Sequence, residues 1–411
     1  MNILQVNKFQ YIKGGSEVYL FALEDELWRK EYTLAKFAMY DDRNRPSPWS
    51  DFFVGNIDYD KSGLKNRFAG ATKIIYSFEA RQKIGRLLDV FSADLAHLHI
   101  FQHQLSASIL PEIKKRGIPI VYTAHDLKSI CPNYKMLTHD GICERCKGGK
   151  YYQCFIHKCV KDSRIKSLIN VVEMYFHAFM GWYELIDLII APSDFYRRKL
   201  AEFRFPEDKI VHLPNFIDES RYEPCYEPGD YFLYFGRLSE EKGVSTLVEA
   251  MRKIKSCRLV IAGTGPAKEK IDDAIDRFNL THVELVGYKT GNDLAGLIRG
   301  ARFTVLPSEW YENGSIAQLE SMAYGKPVVG ADIGGIPEHI DHGLNGLIFE
   351  SGNPQDLADK LNCLVSDNEK CISMGKAARC KLETDYAKKR HLEALTQIYE
   401  DLHAGRKVSV N

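Results

Sequence analysis

The chain has 411 residues, enough for two ordinary domains that each bury a core, and 45% of it is apolar, a globular composition. Its 55 basic side chains balance its 55 acidic ones, so there is no overall field to gather nucleic acid, and no nucleic-acid partner is expected. No stretch reaches the roughly 20 uninterrupted apolar residues of a membrane span; the nearest, 167–190, is broken by Glu173, His177, Glu184 and Asp187.

In chain order, "MNILQVNKF" lacks the basic, apolar and small-residue order of a secretory signal. A cytoplasmic protein with reduced cysteines is therefore expected. "NILQV" reads as a short strand, and "KGGSEVYLFALEDELWRK" as a glycine turn running into an amphipathic helix. Strands follow at "DLAHLHI", "IPIVYTA" and "LIDLIIAPS", with helical stretches between them, as a parallel sheet covered by helices requires. Beyond "VHLPNFID" the plan restarts: "YFLYFG", "CRLVIAG", "HVELVG" and "FTVLPS" each precede a helical stretch, and "PVVGA" and "GLIFE" close the series. The pattern predicts two Rossmann-like, doubly wound α/β domains joined near 212–220, with ligands bound outside the carboxyl ends of the strands and those ends set across a cleft.

Four places in this plan carry chemistry. Gly14 and Gly15 allow a ligand to approach the backbone where a helix begins, although the chain then reads Ser16-Glu17-Val18-Tyr19 and so lacks the G-x-G-x-x-G of a nicotinamide dehydrogenase. His125 ends a strand, where its ring can point out of the sheet. Arg237 and Lys242 lie in "FGRLSEEKG", which opens from a strand onto a helix. In "SEWYENGSIAQLE" (308–320), Glu312 and Glu320 are eight apart, which on one helix puts them on one side about 12 Å apart, a span suited to gripping an elongated polyhydroxylated ligand at two points. "GTGP" at 263–266 reads as a turn lining the cleft.

The order and spacing of these motifs resemble family 4 of the retaining glycosyltransferases, which have the GT-B fold. The likeness runs over nearly the whole chain: the Gly14-Gly15 turn, His125-Asp126 after a strand, the "PNFID" junction, Gly236-Arg237 with Lys242-Gly243, and Glu312 with Glu320 followed by "GKPVVGADIGGIPE". It implies an N-terminal acceptor-side domain (1–213), a nucleotide-sugar-binding domain (214–385) and a last helix (386–411) crossing back to the first. It also implies metal-independent transfer of a sugar from a nucleoside-diphosphate donor to a glycan or lipid-linked acceptor, in assembly of a bacterial surface polysaccharide. Arg237 and Lys242 would then neutralise the departing diphosphate. His125 would contact the donor sugar near the reacting carbon, Glu312 would hold sugar hydroxyls, Glu320 the ribose, and the backbone N–H groups of Gly314, Ser315 and Ile316 the sugar or phosphate. The step Asn313-Gly314-Ser315 departs from the aromatic or Pro that many relatives carry before the glycine. Sugar, base and acceptor are set by pocket shape, so the motifs name the donor class and no more.

Five of ten cysteines fall between 131 and 159, in an irregular insertion taken as 131–162. Cys143-x2-Cys146 and Cys154-x4-Cys159 supply two ligand pairs for one structural zinc, with Cys131 or His157 able to substitute; reduced, unligated thiols are the alternative. Two basic runs occur, seven Lys/Arg in 61–89 against two acids and seven in 145–166 against Asp162 alone. The second adjoins the aromatic-rich 167–190 stretch. It is either a surface for anionic phospholipid on the inner face of the plasma membrane, or for a lipid-diphosphate acceptor, or a solvated loop. "DYD" at 58–60 imitates the metal-binding acid pair of the other major glycosyltransferase fold, which the two-domain plan contradicts. The rival readings are a nucleotide-sugar epimerase of the same architecture and a non-catalytic, zinc-stabilised binding protein.

Overall fold

Strands that are buried on both faces need apolar residues at every position rather than every second one. "LIIA" at 188–191 and "IVYT" at 120–123 are of this kind, and every one of those eight residues is buried in the computed structural model, which describes residues 1–56 and 72–408. Segment 57–71, with "DYD" and the first part of the 61–89 basic run, lies outside the described residues. The chain divides into two units, Met1–Pro214 with Leu392–Asn411, and Asn215–His391.

In the first unit β1 (Asn2–Val6) leads through α1 (Gly15–Arg29) to β2 (Thr33–Phe37), and α2 (Phe78–Val90) precedes β3 (Leu95–Leu98). Then come α3 (Leu110–Lys114), β4 (Ile120–Thr123), a hairpin of β5 (Leu137–Thr138) and β6 (Gly141–Ile142), α4 (Tyr152–Ile156), α5 (Arg164–Phe179), β7 (Leu188–Ala191), α6 (Asp194–Phe203) and β8 (Ile210–His212). Six of the strands form one sheet in the order β2-β1-β3-β4-β7-β8, parallel throughout.

The second unit runs β9 (Tyr231–Phe235), α7 (Val244–Ala250), β10 (Arg258–Ala262), α8 (Lys268–Arg277), β11 (Val283–Gly287), α9 (Gly291–Gly300), β12 (Thr304–Leu306), α10 (Ile316–Ala323), β13 (Val328–Ala331), β14 (Gly346–Phe349), α11 (Pro354–Val365) and α12 (Asn368–Asp385). Its sheet order is β11-β10-β9-β12-β13-β14, again all parallel. The last helix, α13 (Lys388–His403), lies from Leu392 onward in the first unit, where Tyr399 is fully buried and its hydroxyl is 2.6 Å from His97 Nδ1.

Both sheets are doubly wound, as the strand–helix alternation predicts. They differ in where the order reverses: between β1 and β3 in the first, between β9 and β12 in the second. At such a reversal neighbouring connections leave toward opposite faces and open a crevice at the carboxyl ends of the strands. Among the described residues no helix is long and apolar enough to cross a membrane.

Candidate active site

At the reversal of the first sheet, β3 alternates His97 and His99 on one face, because side chains two apart on a strand point the same way. Both rings are buried, with centroids 4.1 Å apart. His97 is tied to Tyr399 and, at 2.7 Å, to Thr123 Oγ1. His99 Nε2 lies 3.0 Å from Gln5 Oε1, and His99 Nδ1 lies 3.0 Å from His125 Nε2. With the Gln5 oxygen as acceptor, His99 Nε2 carries the proton, His99 Nδ1 accepts, and His125 Nε2 is the donor. Burial pushes His125 down to about 3 and His99 well below the ordinary histidine value, so both rings are neutral. His125 also packs edge-on against Tyr19, ring centroids 5.3 Å apart.

Gly14 is extended and Gly15 opens α1; the Gly14 N–H donates to Glu17 Oε2 at 3.0 Å, which fixes the helix start. A Cβ on Gly14 would meet its nearest neighbour only at 3.9 Å, so the fold itself does not require glycine there. Beneath this region the ammonium of buried Lys128 reaches Glu173 at 2.7 Å, Asn170 at 2.8 Å and the Pro132 carbonyl at 2.9 Å. That pair ties the end of β4 to α5 and to the start of the cysteine-rich insertion.

At the reversal of the second sheet, Arg237 is exposed just beyond β9, its carbonyl accepting the Tyr234 hydroxyl at 2.8 Å. Gly243 takes a left-handed φ of 66°, and a Cβ there would stand 1.8 Å from the Pro307 carbonyl oxygen. Only glycine lets the 236–243 loop close against the end of β12. The closed loop brings the Lys242 ammonium onto Glu312 Oε1 and to 5.1 Å from the centre of the Trp310 ring. Glu312 is buried and accepts the Ser308 hydroxyl at 2.8 Å. Glu309 is bonded to Thr246 alongside. The turn at 263–266 packs on the same loop, with Leu238 N–H donating to the Thr264 carbonyl at 2.9 Å.

The helix-spacing argument for Glu312 needs correcting. α10 begins at Ile316 with Ser315 as its N-cap, so Glu320 is helical and Glu312 is not. Glu312 sits in the preceding loop, its carbonyl accepting the Gly335 N–H at 2.8 Å, while Asn215 Nδ2 donates to the Gly314 carbonyl at 2.8 Å. The short polar step Asn313-Gly314-Ser315 favours a turn and cap over another helical turn. Burial lifts the Glu320 carboxyl to about 7, with the phenols of Tyr222 and Tyr324 close enough to feel its charge. Gly314, Ser315 and Ile316 precede or open α10; within its first turn the Gln318 N–H already donates to the Ser315 carbonyl at 3.2 Å, which leaves the N–H groups of Ile316 and Ala317 as the helix-start donors.

Sequence reading missed Gln5, His97, His99, Tyr399, Ser308 and the Lys128–Glu173 pair. The "LAHLHI" alternation was a usable signal for the two histidines; the others become neighbours only through the fold. The insertion gathers Cys143, Cys146, Cys154 and Cys159, together with Cys131, around one pocket that His157 does not line, and all five thiols are free. Among the described residues no three His, Cys, Asp or Glu side chains are grouped so as to hold a metal ion as placed.

Residues 13–221 match the family model described as Glycosyltransferase Family 4, and residues 217–381 match Glycosyl transferases group 1. An uncharacterized glycosyltransferase of Methanocaldococcus jannaschii is 29% identical over 218 residues, 53% of this chain and 60% of that one. The putative colanic acid biosynthesis glycosyltransferase WcaL of Escherichia coli is 27% identical over 246 residues, 56% of this chain and 61% of WcaL. These matches span about six tenths of the length of those relatives. Among solved structures, sucrose-phosphate synthase of Thermosynechococcus elongatus aligns with a TM-score of 0.73 at 17% identity, covering 98% of this chain and 100% of that one. HepE of Anabaena, in complex with UDP, aligns at 0.70 and 16%, covering 98% and 100%. Sheet order, loop closure around Gly243 and the family match agree: the chain belongs to glycosyltransferase family 4.

Proposed function

We propose that the chain is a retaining glycosyltransferase that moves a sugar from a nucleoside-diphosphate donor to a hydroxyl of a glycan or lipid-linked acceptor, without a catalytic metal, in cell-surface polysaccharide synthesis. The observation that carries this reading is the ionic cluster at the reversal of the second sheet, where Lys242, on the loop that carries exposed Arg237, and Ser308 both donate to the Glu312 carboxylate. The naming of WcaL for colanic acid biosynthesis and the UDP held by HepE favour the same substrate classes.

In this mechanism the donor replaces partners that now satisfy each other. Lys242 exchanges Glu312 for a phosphate oxygen, Glu312 exchanges the ammonium for a sugar hydroxyl, and Arg237 adds a planar fork to the same diphosphate. As the bond from the sugar carbon to the phosphate oxygen lengthens, negative charge grows on the diphosphate and both cations become worth more than in the ground state. N–H groups at the start of α10 hold a phosphate oxygen, and Glu320 accepts from the ribose. His125, neutral and with Nε2 committed to His99, offers Nδ1 as an acceptor to a sugar hydroxyl and has no proton to lend at neutral pH. Retention follows a front-face course in which the leaving phosphate oxygen takes the acceptor's proton. Gly14 and Gly15 would keep side chains off the donor's diphosphate.

The test is product analysis over a panel of nucleotide sugars with lipid-linked and soluble acceptors, with and without a chelator. Transfer insensitive to chelation and lost in Glu312→Gln is expected. Turnover abolished by chelation would overturn the metal-free route, and an isomeric nucleotide sugar formed without acceptor would identify an epimerase. For the thiol pocket we propose a structural zinc that draws in Cys143, Cys146, Cys154 and Cys159 and staples a segment with little core of its own. Well under one zinc per chain, with all thiols open to titration, rejects it.

A further inference from the structure

Helix α5 buries a largely polar face and leaves an apolar one in solvent, the reverse of an ordinary surface helix. Asn170, Glu173, Met174 and His177 face inward and are buried. Ile165, Leu168, Val172, Tyr175 and Phe179 recur at steps of three and four, a single stripe along the helix, and all are exposed, Ile165 to 74% and Phe179 to 88%. Between Leu168 and Met180 every exposed residue of this segment is apolar. The helix cannot roll to hide that stripe, because rolling would pull Glu173 off the Lys128 ammonium inside the unit.

The stripe continues onto α4, which packs on α5 through Cys146, Tyr151 and Met174 and through a 3.3 Å hydrogen bond from the Tyr152 N–H to the Tyr175 hydroxyl. α4 leaves Phe155 and Ile156 exposed. Cations gather at the amino-terminal end of α5 and before α4: Lys150, Lys161, Arg164 and Lys166 are all exposed. Of the acids between 145 and 180, Asp162 is exposed and Glu173 is buried against Lys128.

We infer that α4 and α5 form a membrane-docking surface for anionic phospholipid, lying along the bilayer interface with the stripe in the acyl boundary and the cations on headgroup phosphates. Charge decides for this occupant. A helix with an acid-free apolar face, Tyr175 on that face and Tyr152 on the neighbouring helix, and cations at its end matches the interfacial region, which is apolar below and negatively charged above. The surface is no span, so attachment is reversible and depends on salt.

The experiment is vesicle flotation of the full chain with no donor or acceptor present, which makes its outcome independent of the proposed transfer. Vesicles of phosphatidylcholine with about 30% phosphatidylglycerol should carry the protein up and pure phosphatidylcholine should not. Phe179→Asp with Leu168→Asp should cut the bound fraction about tenfold or more, with an unchanged melting temperature because both side chains are exposed. Lys161→Gln with Arg164→Gln and Lys166→Gln, or about 1 M salt, should abolish the preference for phosphatidylglycerol. No binding to either vesicle, undiminished binding by the aspartate variant, or a solution dimer that Phe179→Asp dissolves would overturn the assignment, the last in favour of a second copy on this face.

Discussion

The two sheet reversals solve the problem of a polar site in opposite ways. In the first unit the polar groups are interlocked: His99 bonds to His125 and Gln5, with both imidazole rings neutral, and His97 packs on His99 and bonds to Thr123 and Tyr399. The only ion pair beneath them, among the bonds described above, is the sealed Lys128–Glu173 contact. In the second unit the charges stand at the strand ends, Arg237 exposed and the Lys242 side chain 24% accessible beside Glu312. Hydrogen-bonded neutral groups fix geometry with little response to solvent, whereas an ion pair with its ammonium partly open to solvent can exchange one anionic partner for another. The contrast separates a part that positions from a part that responds to charge.

The largest test of that division is at the second reversal. Glu312→Gln or Lys242→Ala should lower kcat by about 100- to 1,000-fold, the range seen when one preorganised charge-stabilising contact is lost. Initial rates on a nucleotide sugar, with melting curves as the folding control, measure it. Arg237→Ala with donor binding intact and kcat reduced would place the loss in the transition state rather than in binding. A uniform rise in KM with kcat unchanged would break the comparison.

Next is the sealed pair. Lys128→Met strands the Glu173 carboxylate where burial already pushes its pKa up, and should cost about 3–5 kcal/mol in denaturant unfolding. Lys128→Met with Glu173→Leu should recover most of that, because replacing both partners leaves no uncompensated charge. Equal losses in the single and double variants would show that Lys128 acts through the Pro132 and Asn170 contacts instead.

His99→Phe keeps a ring but removes the acceptor for His125, and should lower kcat/KM by about tenfold while leaving the second unit's ligand affinity unchanged, as read by calorimetry with the free nucleoside diphosphate. The histidine network also fixes a pH dependence. His125 titrates at about 3 when folded against about 6.5 unfolded, so between those values the unfolded chain holds more protons and stability rises with pH. The His125 contribution to melting temperature should therefore fall as pH is lowered from about 6.5 toward 4, read as a difference between the natural chain and His125→Gln that narrows toward low pH.

Much of this contrast was legible before any coordinates. Strand runs such as "IPIVYTA" and "CRLVIAG" declare themselves by near-continuous apolar residues, and doubly wound sheets direct attention to the residues directly after them. The charged residues at 237, 242, 312 and 320 were singled out as a set by the resemblance, and the structure brings Lys242 onto Glu312. What escaped was set by packing at a distance. The spacing of Glu312 and Glu320 imitated one helix, although Ser315-Ile316-Ala317-Gln318 carries the Ser-x-x-Gln pattern of a helix start just after Glu312. The motif names Gly243 but nothing near it shows the Pro307 carbonyl, which lies 1.8 Å from where a Cβ would stand. Lys128 and Glu173 are 45 positions apart, and nothing local pairs them. Tyr399 reaches His97 across 302 positions, and α13, read as crossing back by resemblance, gave no hint of which side chain it would deliver.

Glu320 gives the smallest and finest test, since it is a half-buried acid in the charged unit. Burial alone raises it to about 7, and a ribose hydroxyl donating to the carboxyl favours its ionised form. Donor affinity should thus improve by a few-fold as pH rises from about 6 to 8 and level off above. Glu320→Gln, which has no proton to lose, should flatten that rise. Its contribution to stability runs the other way: the native acid keeps its proton between its unfolded value of about 4.5 and about 7, so that contribution shrinks as pH climbs through the window, opposite in sign to that of His125, and is read as the melting-temperature difference between the ligand-free chain and Glu320→Gln. Calorimetric affinity for the nucleoside diphosphate and melting curves, taken over one pH series, would read both slopes. A donor affinity that follows pH equally in Glu320→Gln would transfer the dependence to another group and leave α10 holding its ligand through backbone N–H groups alone.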